Sequence, residues 1–112
     1  MDVEYRILHY IDSLQNVDYM TDIISSLSNS DLDNFITNLL DCESHERVSL
    51  ICLFIRDVMT FGLIDPECKK FKESYPKSKI LNKIENLVFS NNHFIRSQAI
   101  YTLGKTDRKS VV

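Results

Sequence analysis

With 112 residues, 44% of them hydrophobic, and only two glycines and two prolines, the chain is long enough for one core without staples and too apolar to be disordered. No apolar run reaches the ~18 residues of a membrane span, and the charged, periodic start MDVEYRILHY does not read as a signal peptide. Three cysteines without a CxxC pair fit reduced thiols in a cytoplasmic protein, and a net charge of −3 argues against nucleic acid as the main partner.

Hydrophobic periodicity predicts a first helix from Val3 to about Gln15, capped by Asp2, with Ile7, Leu8, Ile11 and Leu14 on its apolar face. A second, Val17 to about Leu27, carries Met20, Ile23, Ile24 and Leu27 and ends at Ser28-Asn29-Ser30. The third starts with Ser30 as N-cap and Asp33 three residues later, an acidic variant of the capping box, and runs through Phe35, Ile36, Leu39 and Leu40 to Asp41. After a polar link, Cys42 to His45, a fourth helix from Glu46 to about Phe61 is apolar at Val48, Ile51, Cys52, Ile55 and Met59, with Gly62 as its C′ residue. Asp65-Pro66-Glu67 starts a short fifth helix, combining an N-cap, a proline at the first position and an acid in the first turn, and Tyr75-Pro76 ends it.

The best-formed stretch is Ile80 to Lys105. Ile80, Ile84, Leu87 and Val88 make one stripe; Ser90-Asn91-Asn92 breaks the pattern; Ile95, Ala99, Ile100 and Leu103 make a second. Setting Arg47 against Arg96 aligns this hairpin without a gap on the preceding one, at a period of 49 residues: Leu32, Phe35, Leu39, Leu40, Leu50 and Ile51 fall on Leu81, Ile84, Val88, Phe89, Ala99 and Ile100. Residues 106–112 have no periodicity and are expected to form a flexible tail after a single domain over residues 1–105.

Phe94 to Gly104, with a hydrophobic-Arg pair followed by Ala and then Leu-Gly, resembles the second helix of a HEAT-like or armadillo-type repeat. The resemblance implies an α-α superhelix used as a binding surface, here about three stacked helical hairpins with six to seven helices. The fold class is therefore all-α. The outer flank of the last hairpin, with Phe94, Ile100 and Leu103 nearby, is left apolar, which suggests a homodimer through the C-terminal hairpin.

Charge is distributed unevenly. Met1 to Glu46 holds ten acidic residues against Arg6 alone, a net −9, while the remainder is +6. If sequence order becomes spatial order, one end of the molecule is acidic and the other basic. The acidic half repels nucleic acid and attracts basic proteins. The partner-binding residues expected from their positions are Asp31, Asp33, Asp41, Glu43 and Glu46, with Tyr5 and Tyr19 as aromatic anchors. The alternative is nucleic-acid binding by the segment containing Lys69, Lys70, Lys72, Lys77, Lys79 and Lys83, which Glu67, Glu73 and Glu85 interrupt.

Candidate chemistry is thin. Asp41, Cys42, Glu43, His45 and Glu46 are metal-ligand types, but no second Cys/His pair exists at zinc spacing, so a solvated turn with helix-start acids is the preferred reading. Asn29 to Asn34 lacks the central glycine and the twelfth-position Glu of a calcium loop. Cys68, beside Lys69 and Lys70 near a helix start, is expected to be the most reactive thiol, yet two glycines leave little loop machinery for a catalytic cleft. The reading is a non-enzymatic protein-binding module with no cofactor and no metal. Its narrower form is an acidic inhibitor or immunity protein covering a basic toxin or nuclease, since the chain resembles small helical-repeat immunity proteins in size and charge.

Overall fold

Short polar side chains start every helix, and the fold follows from where they stand. The computed structural model describes residues 2–106, which form seven α-helices: α1 Val3–Leu8, α2 Val17–Ser25, α3 Asn29–Leu39, α4 His45–Phe61, α5 Pro66–Ser74, α6 Lys79–Leu87 and α7 His93–Thr106. Asp2, Asn16, Ser28, Ser44, Asp65, Ser78 and Asn92 each accept a backbone N–H from the first turn, satisfying donors that a helix start leaves open. No strand occurs among the described residues, so the protein is all-α as its periodicity predicts.

The long helix α4 is the centre of the core. Val48, Ile51, Cys52, Phe54, Ile55 and Val58 are fully buried on it, and α1, α5 and α7 cover it on different sides. A helix apolar over so much of its circumference is stable in water only when neighbours surround it. Helices that the 49-residue shift aligns lie against each other: α3 packs on α6, and α4 packs along α7. α3 leans on α6 and α5 more than on α4, so the first predicted hairpin is open while α6 and α7 form a packed one.

Several local expectations are corrected. The first helix stops at Leu8, followed by a 3₁₀ turn over Tyr10–Ser13, and Leu14 and Gln15 are left-handed at φ 61° and 57°. The cause is Tyr10, whose fully buried ring brings its hydroxyl to 2.7 Å from the Asp57 carboxylate, where Gln15 also donates at 2.7 Å. Turning Tyr10 inward turns Ile11 and Leu14 out, leaving Leu14 92% exposed. The third helix starts at Ser28, not Ser30, because the Ser28 hydroxyl takes the Asp31 N–H at 3.1 Å.

On α7 the buried positions are Ile95, Ala99, Thr102 and Thr106, whereas Ile100 is 60% exposed. Two threonines can face inward because each has a partner: Thr102 accepts from Arg56 at 3.0 Å, and Thr106 bonds the Tyr75 hydroxyl at 3.2 Å. Thr106 thus belongs to α7 and not to a tail; the rest of that predicted tail, 107–112, lies outside the described residues. Gly62 is in the right-handed helical region at φ −60°, so it is not a left-handed C′ glycine. Its lack of a side chain serves close packing, since a Cβ there would stand 2.7 Å from Lys72 Cδ and 3.2 Å from the Cys68 carbonyl oxygen.

The end-to-end separation of charge does not arise. The molecule measures 35 × 34 × 26 Å, and α3 of the acidic half lies against α6 of the basic half. Asp33 accepts the N–H groups of Lys79 and Ile80, Lys79 donates to Asn34 at 2.9 Å, and Lys83 pairs with Asp41 at 3.1 Å.

Candidate protein-binding surface

Two turns meet at one end of the helix stack. The α3–α4 turn, residues 40–44, and the α6–α7 turn, residues 88–92, overlap at four of five positions under the 49-residue shift, and the packing of α3 on α6 and α4 on α7 sets them side by side. Between them is an open depression of about 420 Å³ lined by Cys42, Glu43, Ser90, Asn91, Asn92 and Ile95. Its polar walls have defined local reasons. Asn92 caps α7 through Phe94 N–H at 2.9 Å, and Ser90 Oγ accepts the Asn92 N–H at 3.1 Å. The Arg96 guanidinium donates to the Ser90 carbonyl at 2.7 Å and so holds the turn on the first coil of α7.

Beside the depression stands an aromatic group. The Phe94 ring lies 5.1 Å from His45 and 4.1 Å from His93, centroid to centroid, and Phe94 is 55% exposed. An apolar ring that two imidazoles hold in place while over half its surface faces water is a ready contact anchor. Glu43 precedes the Ser44 cap, is exposed, and makes no hydrogen bond or ion pair among the described residues. Glu46 is exposed in the first turn of α4, where the helix dipole favours a carboxylate.

The structure brings together Asp41, Glu43 and Glu46 at this tip and separates the remaining expected residues from them. Asp31 is exposed in the first turn of α3, and Asp33 in the next is half-buried and committed to the start of α6. The eleven residues of α3 span about 16 Å, so these two lie toward the opposite end from Asp41. Tyr5 is 57% exposed and stacks on His9 at 4.0 Å; Tyr19 is half-buried beneath the Arg6 guanidinium at 4.7 Å. The contribution of Ser90, Asn91 and Asn92 was hidden in the sequence behind their capping role. The signal was nonetheless present, because the 49-residue shift carries Asp41, Cys42 and Glu43 onto those three positions.

No family model, no curated protein and no solved structure matches the chain.

Three lysines of the alternative basic segment, Lys70, Lys79 and Lys83, have acidic or amide partners. Lys69 and Lys70 are exposed on α5, with Lys70 3.4 Å from Glu67; Lys72 lays its stem over Gly62; Lys77 follows in the 3₁₀ turn; Lys79 and Lys83 bind Asn34 and Asp41. A reactive Cys68 is overturned by its surroundings. The residue is fully buried with Sγ 3.6 Å from Met20 Sδ, and burial, then the Asp65 carboxylate, push its thiol up from 9.0 to about 12. Burial outweighs the neighbouring lysines because their ammonium groups stay in water. Cys52 is buried as well, which also raises its thiol, leaving half-buried Cys42 as the accessible one. Among the described residues no three His, Cys, Asp or Glu side chains are arranged to hold a metal ion, and no helix is long and apolar enough to cross a membrane.

Proposed function

We propose that the protein is a non-enzymatic binding module that recognises a basic protein through the tip formed by its α3–α4 and α6–α7 turns. The observation that carries this reading is the state of Glu43, an exposed carboxylate on the wall of a polar depression, without an ion pair among the described residues and adjacent to an exposed, ring-stacked Phe94. A lysine or arginine entering between Glu43 and the Asn91 and Asn92 amides finds both a charge and hydrogen-bond acceptors, and an apolar neighbour of that residue finds Phe94. Glu46 adds field at the rim, which speeds encounter and selects sign.

The repeat architecture is read as HEAT-like, supported by the stacking of α3 on α6 and α4 on α7. The narrower form, an acidic inhibitor or immunity protein that covers a basic toxin or nuclease, rests on the remaining exposed acids of the N-terminal half, Asp18 and Asp31 among them. Direct nucleic-acid binding is disfavoured by the partners that Lys70, Lys79 and Lys83 already hold, since phosphate recognition depends on a continuous positive field.

Capture from an extract of the source cell at low salt, with wild type and the Glu43→Lys/Glu46→Lys double variant side by side, tests the reading. The expected result is a basic protein held by wild type, released by salt and lost with the double reversal. Equal capture by both, or salt-sensitive retention of wild type on heparin, overturns it in favour of another face or of the lysine segment.

A further inference from the structure

Three of the four described arginines reach a carboxylate or a backbone carbonyl. Arg6 stands 3.8 Å from Asp22 and Arg47 3.4 Å from Glu4, while Arg96 donates to the Ser90 carbonyl. Arg56 is different. Its half-buried side chain crosses from α4 to α7 and donates to two neutral oxygens, Gln98 Oε1 at 3.2 Å and Thr102 Oγ1 at 3.0 Å, both through one terminal nitrogen. The carboxylate next to it in sequence, Asp57, is turned to Tyr10 and Gln15.

A second cation meets it. The Arg56 guanidinium carbon lies 4.7 Å from the centre of the Tyr101 ring, and Lys105 Nζ lies 5.6 Å from the same centre. Two positive charges thus converge on one exposed ring, and neither has a carboxylate partner among the described residues. α7 supplies none, since His93–Thr106 contains no Asp or Glu. Like charges held together repel, and an anion between them relieves that repulsion while taking up the guanidinium nitrogens that Gln98 and Thr102 leave over.

The surroundings decide what carries the anion. Ile100 is 60% and Tyr101 53% exposed, and a Cβ on Gly104 would meet open space. The cations therefore border an apolar strip, and a carboxylate beside an apolar side chain fits both. Nucleic acid supplies phosphates without aliphatic surface between them and matches the cations alone. A second copy of the chain laid symmetrically on the strip would set Arg56 and Lys105 against their own counterparts.

We infer that the seam between α4 and α7 is a docking site for an acidic segment of another protein. A glutamate or aspartate of that segment enters between Arg56 and Lys105, and an apolar neighbour rests on Tyr101 and Ile100. The guanidinium, held by Gln98 and Thr102, presents its remaining nitrogens as a fork for a planar carboxylate. Tyr101, flanked by both cations, loses little rotamer freedom on binding. The seam lies in the later turns of both helices and has the opposite sign to the tip, so the inference does not depend on the reading of Glu43.

NMR titration of the isotope-labelled full chain at low salt tests it, with a short synthetic peptide of glutamate, alanine and leucine as the probe. Signals of residues 98–105 are expected to shift, the shifts should fade as salt rises, and the same peptide with glutamine in place of glutamate should give none. Lys105→Glu changes an exposed side chain outside the α4–α7 hydrogen bonds, so it should keep the helical circular dichroism of wild type and weaken the peptide about tenfold or more. Arg56→Lys keeps the charge but loses the fork and should weaken it as well. No shift at residues 98–105, equal shifts with the glutamine peptide, or binding indifferent to Lys105→Glu overturns the inference. Larger shifts with a single-stranded oligonucleotide than with the acidic peptide overturn it in favour of a nucleic-acid face.

Discussion

The Asp33 carboxylate on α3 accepts the backbone N–H of Ile80, forty-seven residues away, at 3.0 Å, and its other oxygen accepts the N–H of Lys79 at 3.0 Å. One side chain thereby supplies a second cap to α6, in addition to Ser78, and ties α3 to α6. It also removes Asp33 from the surface that the acidic sequence suggested.

Asp33→Ala should destabilise the fold by about 1–2 kcal/mol, because two helix-start donors are left partly buried without a protein acceptor. Asp33→Asn, which keeps one acceptor oxygen, should lose roughly half as much. Chemical denaturation checks both; equal stability of Asp33→Ala and wild type would mean that Ser78 and water satisfy α6 alone.

The two glycines should respond in opposite directions. Gly62→Ala places a Cβ 2.7 Å from Lys72 Cδ and 2.9 Å from Lys72 Cβ, so α5 must shift away from α4, at a cost of about 1–2 kcal/mol despite a helix-compatible φ. Gly104→Ala meets nothing and sits inside α7, so it should stabilise by about 0.5–1 kcal/mol. Thermal melts of the two variants make the comparison directly.

Tyr10→Phe removes the hydroxyl that donates to Asp57 at 2.7 Å and leaves Gln15 as the remaining donor to that oxygen. The expected loss is about 1–2 kcal/mol, with hydrogen exchange rising first in residues 9–16, whose left-handed Leu14 and Gln15 depend on the same anchor.

Alkaline pH should unfold the protein partly through its buried thiols. The Cys68 thiol titrates near 9.0 when unfolded and at about 12 in the fold, so the stabilisation from keeping it neutral is complete below about pH 9 and disappears as the pH rises toward 12. Buried Tyr10, its proton held by burial and by Asp57, acts in the same direction. Stability measured between these limits should fall less steeply in Cys68→Ala than in wild type, whatever the offset from lost packing. At neutral pH a small alkylating agent should modify Cys42 well before Cys52 and Cys68.

The all-helical class, the N-caps of Asp2 and Asp65 and the buried stripes of α2, α4 and α6 follow from local chemistry, which is why the sequence alone determined them. Capping oxygens and apolar spacing act within about one or two turns, and a linear reading sees that range. The 49-residue shift also sets Cys42 against Asn91, and the two turns that hold them line one depression. Only the tertiary structure decided which direction each side chain serves. Tyr10 turns inward and Ile11 outward because Asp57 on α4 accepts a hydrogen bond, and Thr102 displaces Ile100 from the core because Arg56 reaches it. Asp33 and Asp41 leave the free acidic surface because α6 brings partners to them, whereas Glu43 keeps its charge in water at the tip. These outcomes depend on groups more than forty residues apart, whose meeting is fixed by helix packing and not by anything within reach of a local pattern.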